Sequence, residues 1–123
     1  EAAKKIVENT GENLFNLTGK INLNQSASLV KNARLVLAND TGLMHIAAAF
    51  KKKILSFWGN TVPEFGMIPY LADPASKIME VTDLKCRPCS KLGYKKCPKK
   101  HFKCMKNLDS LKATEWINRN FNA

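Results

Sequence analysis

Residues 38 to 45 read Ala38-Asn39-Asp40-Thr41-Gly42-Leu43-Met44-His45, at a point where an apolar strand pattern gives way to a helical one. A helix starting there offers N–H groups without intrahelical partners and the positive end of its dipole, which together suit a phosphate. Gly42 falls in the first turn, where glycine costs about 1 kcal/mol relative to alanine. Glycine at that cost points to something approaching the backbone closely, such as a diphosphate, with Thr41 adding a hydroxyl donor. Asp40 would repel phosphate and is better matched to the hydroxyls of a sugar. His45 lies one turn on, on the face shared by Thr41 and Gly42, and can donate to a phosphate oxygen or a sugar hydroxyl. A structural alternative stands beside each residue. Asp40 can be an N-cap, and His45 can be a buried histidine bonded to backbone. Ala47-Ala48-Ala49 reads as close packing of helix on sheet.

Cysteine supplies the second candidate. Cys86 and Cys89 are two residues apart, Cys97 follows after seven more and Cys104 after a further six, with His101 between the last two. That spacing is a zinc signal, and four sulfur ligands would make the zinc structural. The second pair lacks the two-residue spacing, and reduced thiols or disulfides remain the alternatives. The same segment, 85–106, holds nine basic residues and no acidic one, while the rest of the chain holds eleven basic and ten acidic residues. The net charge of +10 therefore belongs to one loop. Its possible partners are nucleic acid, an anionic membrane surface or a phosphorylated substrate, and its plainest reading is a solvated lysine-rich loop. A zinc knuckle in such a loop would make the chain an α/β scaffold that binds nucleic acid, the rival functional reading.

These residues need elements to position them. Ala2 to Asn9 has helical spacing and stops at Gly11. Leu14 to Leu17 is a short apolar run between glycines, a strand candidate. Asn22 or Asn24 can cap a helix through Ala27, Leu29, Val30 and Ala33. Ala33 to Ala38 has the near-continuous apolar character of a parallel strand buried on both faces. Thr41 to Phe50 reads as helix, Lys53 to Phe57 as strand, Lys77 to Val81 as a last short strand, and Asp109 as the cap of a final helix through Trp116 and Phe121. A polar loop containing proline runs to about Pro74. Alternating strands and helices give an α/β fold with a parallel sheet. One domain spans 1–123, and its opening inside a helical pattern, without Met, is expected of a piece of a longer protein. No run of 18 apolar residues exists to span a membrane. Neither a G-x-G-x-x-G fingerprint nor a P-loop is present.

The motif Asn39-Asp40-Thr41-Gly42-x-x-His45-x-Ala47-Ala48-Ala49, followed by Phe57-Trp58-Gly59-Asn60-Thr61-Val62-Pro63, resembles the C-terminal domain of glycosyltransferase family 9, the ADP-heptose:lipopolysaccharide heptosyltransferases. Leu17-Thr18-Gly19-Lys20 and the cysteine segment resemble further family patterns, and the likeness covers nearly the whole chain. Gly59 to Met67 departs from the family's usual Gly-x-Thr-Asp-Pro. The resemblance implies the Rossmann-like C-terminal half of a GT-B enzyme, lacking its first strand. It implies inverting transfer of heptose from ADP-heptose, or a similar nucleotide sugar, to the lipopolysaccharide core, with no catalytic metal. Asp40 would then contact the heptose hydroxyls, Thr41 and Gly42 the diphosphate, and His45 would support them, with Thr61 and Pro63 on the loop facing the cleft. The catalytic base is expected in the N-terminal domain, so this chain alone would be inactive. The place implied is the cytoplasm, with the basic loop available to the anionic inner membrane, and nucleic acid is disfavoured as a partner.

Overall fold

Short apolar runs pair in parallel where the connection between them is long enough to return the chain to the same end of the sheet. The computed structural model, which describes residues 1–11 and 13–123, has three such strands. They are β1 (Leu35–Asn39), β2 (Lys53–Trp58) and β3 (Lys77–Glu80), in the order β1-β2-β3. Leu37 pairs with Leu55, and Phe57 with Met79. The helices are α1 (Ala2–Glu8), which buries no residue, α2 (Leu23–Asn32), α3 (Gly42–Ala49), α4 (Lys103–Lys106) and α5 (Ser110–Phe121), with one 3-10 turn described at Pro63–Phe65.

Side-chain alternation divides the core in two. Ile54 and Trp58 of β2 face α3, where Met44, Ala47 and Ala48 close the layer and Val30 of α2 packs behind. Leu55 and Met79 face the other way, against Ala113 and Trp116 of α5. Each large aliphatic side chain buried in these layers contributes about 2 kcal/mol. Both indoles are satisfied. Trp58 Nε1 donates to Ser56 Oγ at 3.1 Å, and Trp116 Nε1 to the carbonyl of Ala75 at 2.9 Å.

Caps set the helix starts. Asn22 accepts from the Gln25 N–H while Gln25 accepts from the Asn22 N–H, a reciprocal capping box. Asp109 accepts from the Lys112 N–H, which holds its carboxyl below the usual range.

Two expectations need correcting. Leu14 to Leu17 forms no strand, and Phe15 is 82% exposed. The run finds no strand to pair with, and apolar content alone does not make a strand. β1 is not buried on both faces either. It begins at Leu35, with Ala33 as the C-cap of α2. Leu35 packs with the α5 layer, but Leu37, on the same face, is 50% exposed. The cover given by α5 ends before the carboxyl end of the strand, and that end carries the site.

Candidate functional site

Asp40 follows the last residue of β1, and Thr61 lies three residues beyond the end of β2. In a parallel sheet both positions stand at the same, carboxyl, edge. The Thr61 hydroxyl donates to Asp40 Oδ2 at 3.0 Å. Thr61 is buried and Asp40 half-buried, so the pair joins the two strand ends and leaves the other carboxylate oxygen available. This sets aside the capping alternative for Asp40. Thr41 occupies the N-cap position of α3, and no side chain caps that helix.

Thr41, Gly42 and His45 are exposed, so His45 is not the buried, backbone-bonded histidine of the alternative reading. A Cβ at Gly42 would meet nothing within 4 Å. The fold itself does not demand glycine there, and the space above the helix start is open.

Beside Asp40 and Thr61 lies a cavity of about 290 Å³, closed on its far side by the cysteine-rich segment. Asn39, Asp40 and Thr61 form one wall, and Tyr94, Lys95 and Lys96 stand in the other. Thr41, Gly42 and His45 are outside its lining. The structure thus joins Asp40 to Thr61 in one cavity and sets the other three residues on the neighbouring helix start.

What holds the far wall is Arg87, whose side chain is only 3% exposed. Its guanidinium donates to the carbonyls of Gly59 at 2.6 Å and Thr61 at 3.0 Å, to the Val81 carbonyl, and to Glu80 Oε2 at 2.9 Å. One planar fork therefore fixes the loop after β2 to the end of β3, a geometry that lysine cannot reproduce. The Cys89 N–H donates to the Asn60 carbonyl at 2.9 Å, and Asn60 Nδ2 donates to the Tyr94 carbonyl at 3.0 Å. Gly93 (φ +80°) packs so tightly that a Cβ would lie 2.7 Å from Asn60 Oδ1. No motif singled out Arg87, and Asn60 stood in the sequence only as a member of the Phe57–Pro63 stretch. The available signal was that Arg87 is the one arginine among nine basic residues of its segment.

All four cysteines are free thiols. Burial pushes the Cys89 and Cys104 thiols up, whereas the Phe102 N–H, donating to Cys97 Sγ at 3.4 Å, pulls Cys97 down. His101 Nδ1 accepts from the Lys103 N–H, which leaves Nε2 to carry the proton of the neutral ring, 3.8 Å from Cys86 Sγ. Among the described residues no group of three or more His, Cys, Asp or Glu side chains is arranged to hold a metal ion. Cys86, Cys97 and Cys104 each act electrostatically on the Cys89 thiol, so the four lie near one another, and zinc coordination by them stays an expectation from their spacing. Cys89, Cys97 and Cys104 line the cavity wall.

The model of glycosyltransferase family 9 (heptosyltransferase) matches residues 1–102. Lipooligosaccharide heptosyltransferase 2 of Haemophilus influenzae is 37% identical over 95 residues, covering 76% of this chain and 27% of that protein. The protein of the same name from Campylobacter jejuni (serotype O:6) is 33% identical over 104 residues, 85% of this chain and 31% of its own. Lipopolysaccharide heptosyltransferase 2 of Escherichia coli is 34% identical over 67 residues, 54% of this chain and 19% of its own. The chain thus spans less than a third of the length of these relatives. No solved structure matches it significantly.

Proposed function

Because this chain belongs to glycosyltransferase family 9, we propose that it is the donor-binding part of an inverting glycosyltransferase that moves heptose from ADP-heptose to the lipopolysaccharide core. One observation carries the reading. Asp40 and Thr61 are tied together in a cavity at the carboxyl edge of a parallel sheet, next to an uncapped helix start with open space over Gly42.

The division of labour follows from charge. The sugar's hydroxyls donate to Asp40, whose orientation Thr61 fixes. The diphosphate lies against the N terminus of α3, where the N–H groups and the Thr41 hydroxyl meet its charge. His45, exposed one turn further on, donates to the same oxygens. In this reading N–H groups and basic side chains, rather than a metal, balance the leaving diphosphate. The base that activates the acceptor hydroxyl comes from the other half of the enzyme. Among the described residues no helix is long and apolar enough to cross a membrane. The reading places the enzyme in the cytoplasm, with exposed lysines such as Lys99 and Lys100 available to the anionic inner membrane.

The test is a calorimetric titration of the full-length protein with ADP and with ADP-heptose, with Asp40→Ala alongside. Loss of a hydrogen bond to a charged group costs about 1.5–3 kcal/mol, so ADP-heptose should bind the variant about ten- to a hundredfold more weakly while ADP affinity holds. Equal loss for both ligands, or none, would remove Asp40 from the sugar site and this reading with it.

A further inference from the structure

The segment 85–106 carries nine positive charges, yet it does not hang free. Arg87 bonds it to Gly59 and Thr61, the Cys89 N–H bonds it to Asn60, and Asn60 bonds back to Tyr94. Gly93 stacks so closely on Asn60 that no larger residue fits without displacing it. These anchors run up to the residue before Lys95 and Lys96. They place that pair, alone among the segment's lysines, in the lining of the cavity that Asp40 and Thr61 share. Among the described residues neither lysine makes a salt bridge.

The two walls ask for different chemistry. Asp40 is an acceptor for hydroxyl donors. Lys95 and Lys96 are adjacent cations that repel each other across a concave surface, where the field between low-dielectric walls is focused. A purely anionic ligand would meet Asp40 badly, and a neutral sugar would leave the lysines unused. A sugar with hydroxyls at one end and phosphate at the other satisfies both walls at once. The cavity's volume of about 290 Å³ falls near the lower end of small-molecule sites, which suits one sugar with its anionic group rather than a polymer.

We infer that Lys95 and Lys96 bind the anionic group of a phosphorylated sugar whose hydroxyls face Asp40 and Thr61, with Arg87 and Asn60 as the positioning residues that hold this wall. The inference rests on the donor-binding reading above and adds to it a second, cationic wall. The anion has two possible sources, the diphosphate of the nucleotide sugar or an acidic group on the acceptor sugar. The other lysines of the segment lie outside the lining and contribute only diffuse charge.

The experiment uses the full-length enzyme and measures KM for nucleotide sugar and for acceptor separately. The variants are the double substitution Lys95→Gln with Lys96→Gln, the pair Lys95→Arg with Lys96→Arg, and a control pair outside the cavity lining, Lys91→Gln with Lys103→Gln. Losing a charge-assisted hydrogen bond should raise one KM about tenfold or more in the glutamine pair, with kcat held, while the arginine pair recovers most of it and the control changes neither. A rise confined to the nucleotide sugar assigns the diphosphate, and one confined to the acceptor assigns the acceptor's acid. KM values within twofold of wild type, or an equal rise in the control, overturn the inference. The donor-site reading is judged separately. If Asp40→Ala costs nothing, that reading has failed. If Asp40→Ala costs affinity and the lysine pair does not, only the cationic wall has failed.

Discussion

The two sides of the cavity are held in place by opposite means. The floor, formed by the ends of β1 and β2, rests on burial, with Met44, Ala47, Ile54, Leu55 and Trp58 fully inaccessible to solvent. The facing wall, residues 85–106, has one wholly buried residue among its 22 positions, Cys104, besides the enclosed side chain of Arg87. Directional bonds and close fits hold it instead. Hydrophobic burial tolerates small displacements because it scales with area, whereas a hydrogen bond weakens steeply once its geometry is lost. A ligand between the two sides would therefore meet a rigid floor and a wall whose position depends on a few groups.

That contrast is broken most severely at Arg87. Arg87→Met keeps much of the volume but deprives Glu80 and three carbonyls of their donor. Unpairing a buried ion of this kind costs about 3 kcal/mol. Denaturant unfolding of the full-length protein should show this loss. Hydrogen exchange should show the amides of 85–106 losing protection while those of β1 and β2 keep most of theirs. Uniform loss across the sheet would mean that wall and floor fold as one unit, and the comparison would no longer stand.

The glycines sharpen the comparison on a smaller scale. Gly93→Ala imposes left-handed strain on a residue with a Cβ and drives that Cβ into an Asn60 amide already committed to Tyr94. Together these cost about 2 kcal/mol. At Gly59 the new Cβ would meet mainly Met105, at 2.8 Å from Sδ, the far end of a flexible side chain that can swing away. Gly59→Ala should cost about 1 kcal/mol or less. Thermal unfolding of both variants would check the order, and a reversed order would show that Met105 is locked rather than adaptable.

The sequence disclosed these regions unequally, for the same physical reason. The strands and helices of the floor are written in apolar periods and caps. The pattern Leu35-Val36-Leu37-Ala38, Asn22 as one of two cap candidates, and Asp109 ahead of Ser110 are legible in the sequence, whereas the Gln25 half of the capping box emerged from the structure. Asp40 was legible as the residue between strand and helix, and Thr61 only through the family resemblance, on the loop facing the cleft. Their mutual bond was not, because nothing in local spacing fixes two loops 21 residues apart. The wall was least legible. Nine basic residues and four cysteines suggested a metal knuckle or a charged surface, since composition reports charge but not anchoring. The residue that decides the arrangement is one arginine, three of whose four acceptors are backbone carbonyls, and carbonyls have no residue type to recognise. The Leu14–Leu17 run misled in the converse way, being apolar enough for a strand and without a strand to join.

The smallest expected effect, and the one that tests the wall from within, is a difference among its thiols. The Phe102 N–H bonded to Cys97 Sγ favours the thiolate and lowers its pKa, while burial disfavours the thiolates of Cys89 and Cys104 and raises theirs. Alkylation proceeds through the thiolate, so the rate at Cys97 should rise at lower pH than the rates at the other two. Near neutral pH iodoacetamide should label Cys97 first, as peptide mass spectrometry would show. Cys97 also lines the cavity, so a bound nucleotide sugar should slow its labelling and leave the pH order unchanged. If all four thiols were equally inert until a chelator was added, the segment would be closing around a metal in solution. Coordination would then join Arg87 in holding the wall, and the contrast with the floor would become one between two kinds of rigid structure.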